Sequence, residues 1–259
     1  MNIIAESSST RTEWVIVDGS DIIEHAFTSG LNPYFQSRRE ISHSIRLELP
    51  EAFFRRRWNH VYLYCAGCST QEKKKVMESS LVAQFKTPVT VESDLLGAAR
   101  GLLVHKPGLA CILGTGSNSC LYNGSEITRT VAPLGFILGD EGSGAYLGKT
   151  LIADMLKGLA PVRLTEAFYE KFMVTPNVLM DDVYTSPMPS RTLSKYSTFL
   201  AEHLDDPYVY NMVYAAFMLF FNRNIAQYDY REQPLCFVGS TCTLFKPISV
   251  SYTHLTLPT

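Results

Sequence analysis

The chain has 259 residues, 46% of them apolar and 19% charged, with a net charge of −2. That length allows one large domain or two lobes with an ordinary soluble-protein balance, and the charge supplies no basic field for nucleic acid. Six cysteines at this length make no disulfide framework. Met1 leads straight into an apolar strand, without a signal peptide. The best apolar run, residues 212–221, is far short of the ~20 residues that span a bilayer. The chain therefore reads as cytoplasmic, with no membrane partner, and Arg55-Arg56-Arg57 reads as a solvated helix end.

In chain order, residues 3–5, 13–18 and 22–28 are predicted as short strands, the last two joined by the turn Asp18-Gly19-Ser20-Asp21. A helix is expected over 39–49, a strand over 61–65, and a helix over 70–85 capped by Ser69 or Thr70. A strand at 88–92 and a helix at 94–105 complete a βββαβαβα order. Lys106-Pro107-Gly108 breaks the pattern, which then restarts with strands at 109–113, 119–122 and 126–131. Helices are expected at 142–157 and 164–172. A proline-rich loop (Pro176, Pro187, Pro189) then leads to helices at 195–204 and 208–228. The last of these carries an apolar stripe of Val209, Met212, Val213, Ala216, Phe217, Phe220 and Ile225. A strand at 235–238 ends in Gly239-Ser240. Residues 249–259 have neither helical periodicity nor a cap, and read as a non-native tail that leaves the second lobe incomplete.

Two turns are the main functional signal. Glu6-Ser7-Ser8-Ser9-Thr10-Arg11-Thr12 and Leu113-Gly114-Thr115-Gly116-Ser117-Asn118 each lie between two apolar strands. Hydroxyls, glycines and backbone N–H groups in such a turn can converge on an anion. Two of them, about a hundred residues apart, suggest two related lobes on one nucleotide.

Other residues have two readings on local grounds. Asp94, at a strand-to-helix junction, is either an N-cap or a general base. Asp140 and Glu141 precede a helix, where acids favour the dipole. Asn32 before Pro33 is a turn residue or a ligand, and Gly239-Ser240 a plain turn or a pocket wall. Cys65-Ala66-Gly67-Cys68 is a CxxC, but no second pair completes a zinc set, so it reads as core. His25, His43, His60, His105, His203 and His254 show no ligand spacing.

The chain resembles the BadF/BadG/BcrA/BcrD-type ATPases and N-acetylglucosamine kinases of the sugar kinase, Hsp70 and actin superfamily. The matching pieces are Glu6 to Trp14, Gly30-Leu31-Asn32-Pro33, Ala66-Gly67, Glu92-Ser93-Asp94 and the segment from Gly114 to Asn118. Gly135, Gly139-Asp140-Glu141-Gly142-Ser143-Gly144 and Phe237-Val238-Gly239-Ser240 complete the set, which covers residues 2 to about 245.

The resemblance implies an α/β fold of two ribonuclease H-like (actin/hexokinase-type) lobes, residues 1–107 and 108–248. It implies phosphate contacts from Ser8, Ser9, Thr10, Gly114, Thr115, Gly116 and Ser117, and adenosine contacts from Gly239 and Ser240. Sugar contacts would come from Asn32, Gly67, Gly135, Asp140 and Glu141, and Asp94 would be the base. ATP and Mg²⁺ are the implied cofactors. Glu6 stands where the family usually has an Asp that helps hold the metal, and reaches one methylene further. A homodimer is compatible with the resemblance.

Two activities remain open on these residues. The first is phosphorylation of N-acetylglucosamine or a related amino sugar. The second is ATP-driven activation of a radical acyl-CoA dehydratase or benzoyl-CoA reductase through an iron–sulfur cluster, against which Cys111 and Cys120 read as buried strand residues. A non-catalytic sugar-binding regulator is a third reading, made possible by Glu6.

Overall fold

A computed structural model of the chain describes residues 1–248; the expected non-native tail at 249–259 lies outside the described residues. Two compact units emerge, Met1–Gly97 and the chain from Ala98 onward.

The first unit opens with β1 (Asn2–Ser7), β2 (Arg11–Asp18) and β3 (Asp21–Ser29). Helix α1 (Arg38–Glu48) follows, then a 3-10 turn (Glu51–Phe53) and β4 (Val61–Cys65). Next come α2 (Gln71–Phe85), β5 (Val89–Ser93) and α3 (Asp94–Leu103), which carries the chain across the division between units. The sheet order is β3-β2-β1-β4-β5. β1, β4 and β5 run parallel, and β2 and β3 are antiparallel additions.

Alternation sets this sheet's two faces. Ile3, Ala5, Trp14, Ile16, Val61 and Leu63 are buried, and join Ile41 and Ile45 of α1 and Met77, Leu81 and Phe85 of α2 in one core. The Trp14 indole N–H inside it donates to Thr28 Oγ1 at 2.9 Å. Helix α1 starts on a capping box: Ser37 accepts from the Glu40 backbone while Glu40 accepts from Ser37 N. Thr70 caps α2, as the sequence indicates. The arginine run follows the 3-10 turn rather than an α-helix, and Arg55 pairs with Glu51 at 2.7 Å.

The second unit repeats the opening with β6 (Gly108–Leu113), β7 (Ser117–Tyr122) and β8 (Ile127–Val131). A helical block follows: α4 (Gly135–Leu138), α5 (Gly144–Leu156), α6 (Val162–Phe172), α7 (Pro176–Thr185), α8 (Pro189–Tyr196), α9 (Thr198–Glu202) and α10 (Pro207–Arg223). β9 (Leu235–Val238) and α11 (Ser240–Leu244) close the described chain. The sheet order β8-β7-β6-β9 repeats that of β3-β2-β1-β4, with β9 parallel to β6. Among the described residues β5 has no counterpart.

Three expectations need correction. The proline-rich stretch is helical: Pro176 and Pro189 occupy the first turns of α7 and α8, and Pro207 that of α10. Proline costs nothing at the first helical position, because its missing N–H has no intrahelical partner there. The single helix expected at 195–204 is two, divided at Ser197. The expected 208–228 helix ends at Arg223 and gives way to a 3-10 turn at Ile225–Gln227. Its stripe does face the core, with Val209, Val213, Phe217 and Phe220 each at most 3% exposed.

Candidate active site

In the first unit, three parallel strands end on one register row. Ser7 of β1 lies beside Cys65 of β4, and Cys65 beside Ser93 of β5. Just beyond that row come Ser8, the Ala66-Gly67 turn and Asp94. The carboxyl ends of parallel strands are where open α/β sheets bind ligands.

The row itself is sealed by hydroxyls. Ser7 Oγ lies 2.7 Å from Thr12 Oγ1 and accepts from Leu31 N at 2.9 Å. The Cys65 thiol donates to Leu31 O at 3.3 Å. Both cysteines of the CxxC are buried, and Cys65 is pushed well above its ordinary pKa by its hydrogen bond with Cys68 and by burial. A thiol so held is a core group rather than a nucleophile or ligand.

Above the row, Thr10 N and Arg11 N converge on Ser8 Oγ at 3.3 and 3.2 Å, and Thr10 Oγ1 lies 3.0 Å from it. Neighbouring N–H groups aimed at one oxygen are the arrangement an anion would use. Asn32 is 6% exposed and ties this turn to the next. Its Nδ2 donates to Ser9 Oγ at 3.2 Å, and its Oδ1 accepts from Tyr34 N at 2.9 Å. A Cβ on Gly67, where φ is +78°, would sit 2.5 Å from Asn32 Oδ1. Only glycine allows both that conformation and that approach. Ser9, Asn32 and Gly67 are thereby brought together from three separate parts of the sequence.

Asp94 does not cap α3. Ser93 Oγ accepts from Leu96 N at 3.2 Å, while Asp94 Oδ1 accepts from its neighbour Leu95 N at 2.9 Å. Burial raises the Asp94 carboxyl to about 6, opposed by the N–H groups of Leu95 and of Asp94 itself. Glu6 pairs with Glu13 across β1 and β2, so the two carboxylates share a face. Glu6 is solvent-exposed, yet the protein around it raises its carboxyl above the ordinary range, Asp94 and Glu13 add to the rise, and Arg11 opposes it.

In the second unit, the β6–β7 turn rests against the segment before α5. Gly144 N donates to Gly114 O at 2.8 Å and Ala145 N to Thr115 O at 3.0 Å. Asp140 Oδ1 accepts from Ser117 N at 3.2 Å. Burial raises Asp140 to about 6, Ser117 N–H works against that rise, and Glu141 adds to it. The cap of α5 is Ser143, whose side chain accepts from Tyr146 N at 3.1 Å. Neither Asp140 nor Glu141 is therefore the cap. Glu141, 7% exposed, pairs instead with Arg223 at the end of α10, Oε1 to Nη1 2.7 Å.

Gly239 and Ser240 reach the same turn. A Cβ on Gly239, where φ is +122°, would meet Leu113 O at 2.4 Å and Gly114 N at 3.0 Å. Thr241 Oγ1 donates to Gly114 O at 2.8 Å. Gly135 stands apart, opening the one-turn helix α4 with nothing within 4 Å of a built Cβ. Sequence reading overlooked Ser93, Ser143, Thr241 and Arg223. The serines each carry a local signal, a hydroxyl three residues before the N–H it caps. Arg223 carries none, being 82 residues from its partner.

Solved structures share this architecture. The "Putative N-acetylglucosamine Kinase" of Porphyromonas gingivalis superposes with a TM-score of 0.93 at 40% identity, over 99% of this chain and 92% of that one. Its namesake from Chromobacterium violaceum gives 0.79 at 18% identity, over 99% and 93% of the two chains. A ROK family glucokinase from Streptomyces griseus, solved with glucose and AMPPNP, gives 0.51 at 14% identity, over 93% and 94%. No family model and no curated protein matches the chain.

The duplicated sheet and its strand-end turns define a sugar kinase of the actin/hexokinase-type fold. Within that class, the chain belongs to the N-acetylglucosamine kinase family represented by the Porphyromonas gingivalis protein.

Proposed function

We propose that the protein transfers the γ-phosphoryl group of ATP to a hydroxyl of N-acetylglucosamine or a related amino sugar. The observation that carries this reading is the strand-end row of the first unit. Ser8, the Ala66-Gly67 turn and Asp94 follow on its three parallel strands, and the carboxyl ends of such strands are where nucleotide ligands recur.

Phosphoryl transfer needs alignment, charge neutralisation and one proton acceptor. Asp94 is suited to accept the hydroxyl proton, because its carboxyl is raised towards neutrality and spends one oxygen on Leu95 N. Asn32, Gly67, Gly135, Asp140 and Glu141 are assigned to the sugar. Ser8, Ser9, Thr10, Gly114, Thr115, Gly116 and Ser117 are assigned to phosphate, and Gly239 and Ser240 to adenosine. The lobes would comprise residues 1–107 and 108–248.

One carboxylate, Glu6, is assigned to a divalent cation, and among the described residues no cluster of three or more acidic, histidine or cysteine side chains surrounds it. Glu6 is crowded by Glu13 and Asp94, so a positive charge there relieves repulsion. Mg²⁺ ordinarily takes one or two protein carboxylates plus substrate phosphates. Bound there, Mg²⁺ would neutralise charge on the ATP phosphates, with Glu6 as its protein ligand.

The activator reading is weaker on a specific ground. Cys111 and Cys120 are fully buried in β6 and β7, and burial raises both thiols, Cys120 to about 11. Cluster ligation needs thiolates.

A coupled ADP-release assay over a panel of hexoses and amino sugars tests the proposal. N-acetylated amino sugars should give the highest kcat/KM. Absence of sugar-dependent ADP release across the panel would overturn the kinase reading.

A further inference from the structure

Helix α1 carries arginines and a histidine that no part of the phosphoryl-transfer chemistry uses. Arg38, Arg39, His43 and Arg46 line an open groove between α1 and α2, with Ser42 and Gln84 in its wall. The groove has a volume of about 520 Å³. That lies within the range of small-molecule sites.

The spacing gathers donors on one face: Arg39 and His43 are four residues apart and His43 and Arg46 three, so the three side chains are neighbours along α1. No acidic side chain lines the groove.

The acids of α1 are committed elsewhere. Glu40 is engaged by Ser37 in the capping box, and Glu48 accepts from Ser29 N at 2.5 Å. Among the described residues Arg38, Arg39 and Arg46 enter no ion pair. The Arg46 guanidinium carbon lies over the Phe54 ring, 4.6 Å from its centroid. Gln84 Nε2 donates to Ser42 Oγ at 2.5 Å, holding the two walls together. Planar guanidinium groups so arranged match the oxygens of a phosphate.

We propose that the α1–α2 groove is a second binding site, which takes a phosphate dianion, either free or as the monoester of a small metabolite. Its volume accommodates one phosphate with a sugar-sized substituent.

The test is calorimetric titration of the full chain with inorganic phosphate and, separately, glucose 6-phosphate. AMPPNP and N-acetylglucosamine are kept saturating, so that ligand cannot be consumed in the candidate active site. Wild type should bind one equivalent. The variant Arg38→Gln/Arg39→Gln/Arg46→Gln should lose at least about tenfold in affinity, the equivalent of one charge-assisted contact. Turnover measured without added phosphate should stay at the wild-type level.

Gln84→Glu supplies a second, independent check from the other helix. It can still pair with Ser42 but brings a negative charge into the groove, and should weaken binding likewise. Tighter binding of the sugar ester identifies the ester as ligand, and equal binding identifies the phosphate group alone. No binding to wild type, or isotherms unchanged in both variants, would overturn the proposal. The comparison of variants does not depend on the kinase reading, because none of the substituted residues belongs to that site.

Discussion

The two strand-end turns do the same geometric job by opposite means. The β1–β2 turn gathers donors of its own, Ser8 Oγ accepting from Thr10 N and Arg11 N within four residues of chain, and takes lighter support from outside, where Asn32 Nδ2 donates to Ser9 Oγ and Gly30 N to Thr10 O. The β6–β7 turn borrows its support. Asp140, Gly144, Ala145 and Thr241 all bond to it from distant segments, and Gly239 packs against it. A hydroxyl-rich turn can preorganise its own donors, whereas a glycine-rich one must be held by its surroundings. The first should therefore tolerate change elsewhere in the fold, and the second should fail when its neighbours move.

The units also differ in where an acid sits beside a capped helix. In each, a serine takes the helix N–H and leaves the adjacent acid uncommitted as a cap: Ser93 beside Asp94, and Ser143 after Asp140 and Glu141. Asp94 makes the sharpest test of that division. Asp94→Asn keeps the shape and removes the proton acceptor, so kcat should fall by about 10²–10⁴ while ATP affinity holds. Equal loss of both would place Asp94 in a structural role.

The same variant should melt higher than wild type. The folded Asp94 carboxyl titrates at about 6 against an ordinary 3.8. Between those pH values the folded state keeps a proton that the unfolded chain has released. Stability is therefore lost as pH rises through about 6 and regained as it falls. Asparagine removes that penalty, so at pH 7.5 the gain should be about 1–3 kcal/mol, vanishing near pH 4. Wild-type kcat/KM should decline as pH drops below about 6, when the base is protonated. A flat profile from pH 5 to 8 would contradict the assignment.

The borrowed turn makes the next prediction. A Cβ on Gly116 would lie 3.0 Å from Asp140 Oδ2, so Gly116→Val drives a branched side chain against the carboxylate that holds Ser117 N. ATP affinity should fall by at least about tenfold, and sugar affinity by less. In the β1–β2 turn, Ser8→Ala removes the oxygen shared by Thr10 N and Arg11 N but drives no new atom into the turn, and should cost ATP affinity only about two- to fivefold. Calorimetry with AMPPNP would separate the two. Similar losses in both would erase the distinction between the turns.

That distinction also marks what the sequence made legible. The strands flanking the first turn are local patterns that agree with the structure, and of the two caps offered for α2, Ser69 or Thr70, the structure has Thr70. The repeated succession of three strands was also legible, whereas the order of strands within each sheet was not read from the sequence. Proline misled, because a cluster that usually means loop here opens two helices at Pro176 and Pro189, with Thr175 the overlooked cap of the first. The Glu141–Arg223 pair was out of reach for another reason. No periodicity links residues so far apart, and only the packing of α10 beside α5 brings them together.

The smallest expected effect is on the caps, where it measures whether acid and serine have separate jobs. Ser93→Ala leaves Leu96 N without its acceptor, and Ser143→Ala does the same to Tyr146 N. Each should cost about 1 kcal/mol of stability, the usual loss at an N-cap. The effects on turnover should differ between the units. Ser93 stands next to Asp94, but Asp94 keeps its own bond to Leu95 N, so Ser93→Ala should leave kcat within about twofold. Ser143 lies in the segment that supports the second turn: Ser143 N donates to Asp140 O at 3.1 Å, and Gly144 N donates to Gly114 O at 2.8 Å. Fraying of α5 there loosens the turn itself, so Ser143→Ala should raise the KM for ATP as well as lower the melting temperature. Thermal melts beside steady-state kinetics for the two variants give the answer. If both raised KM equally, the first turn would depend on its surroundings as much as the second does.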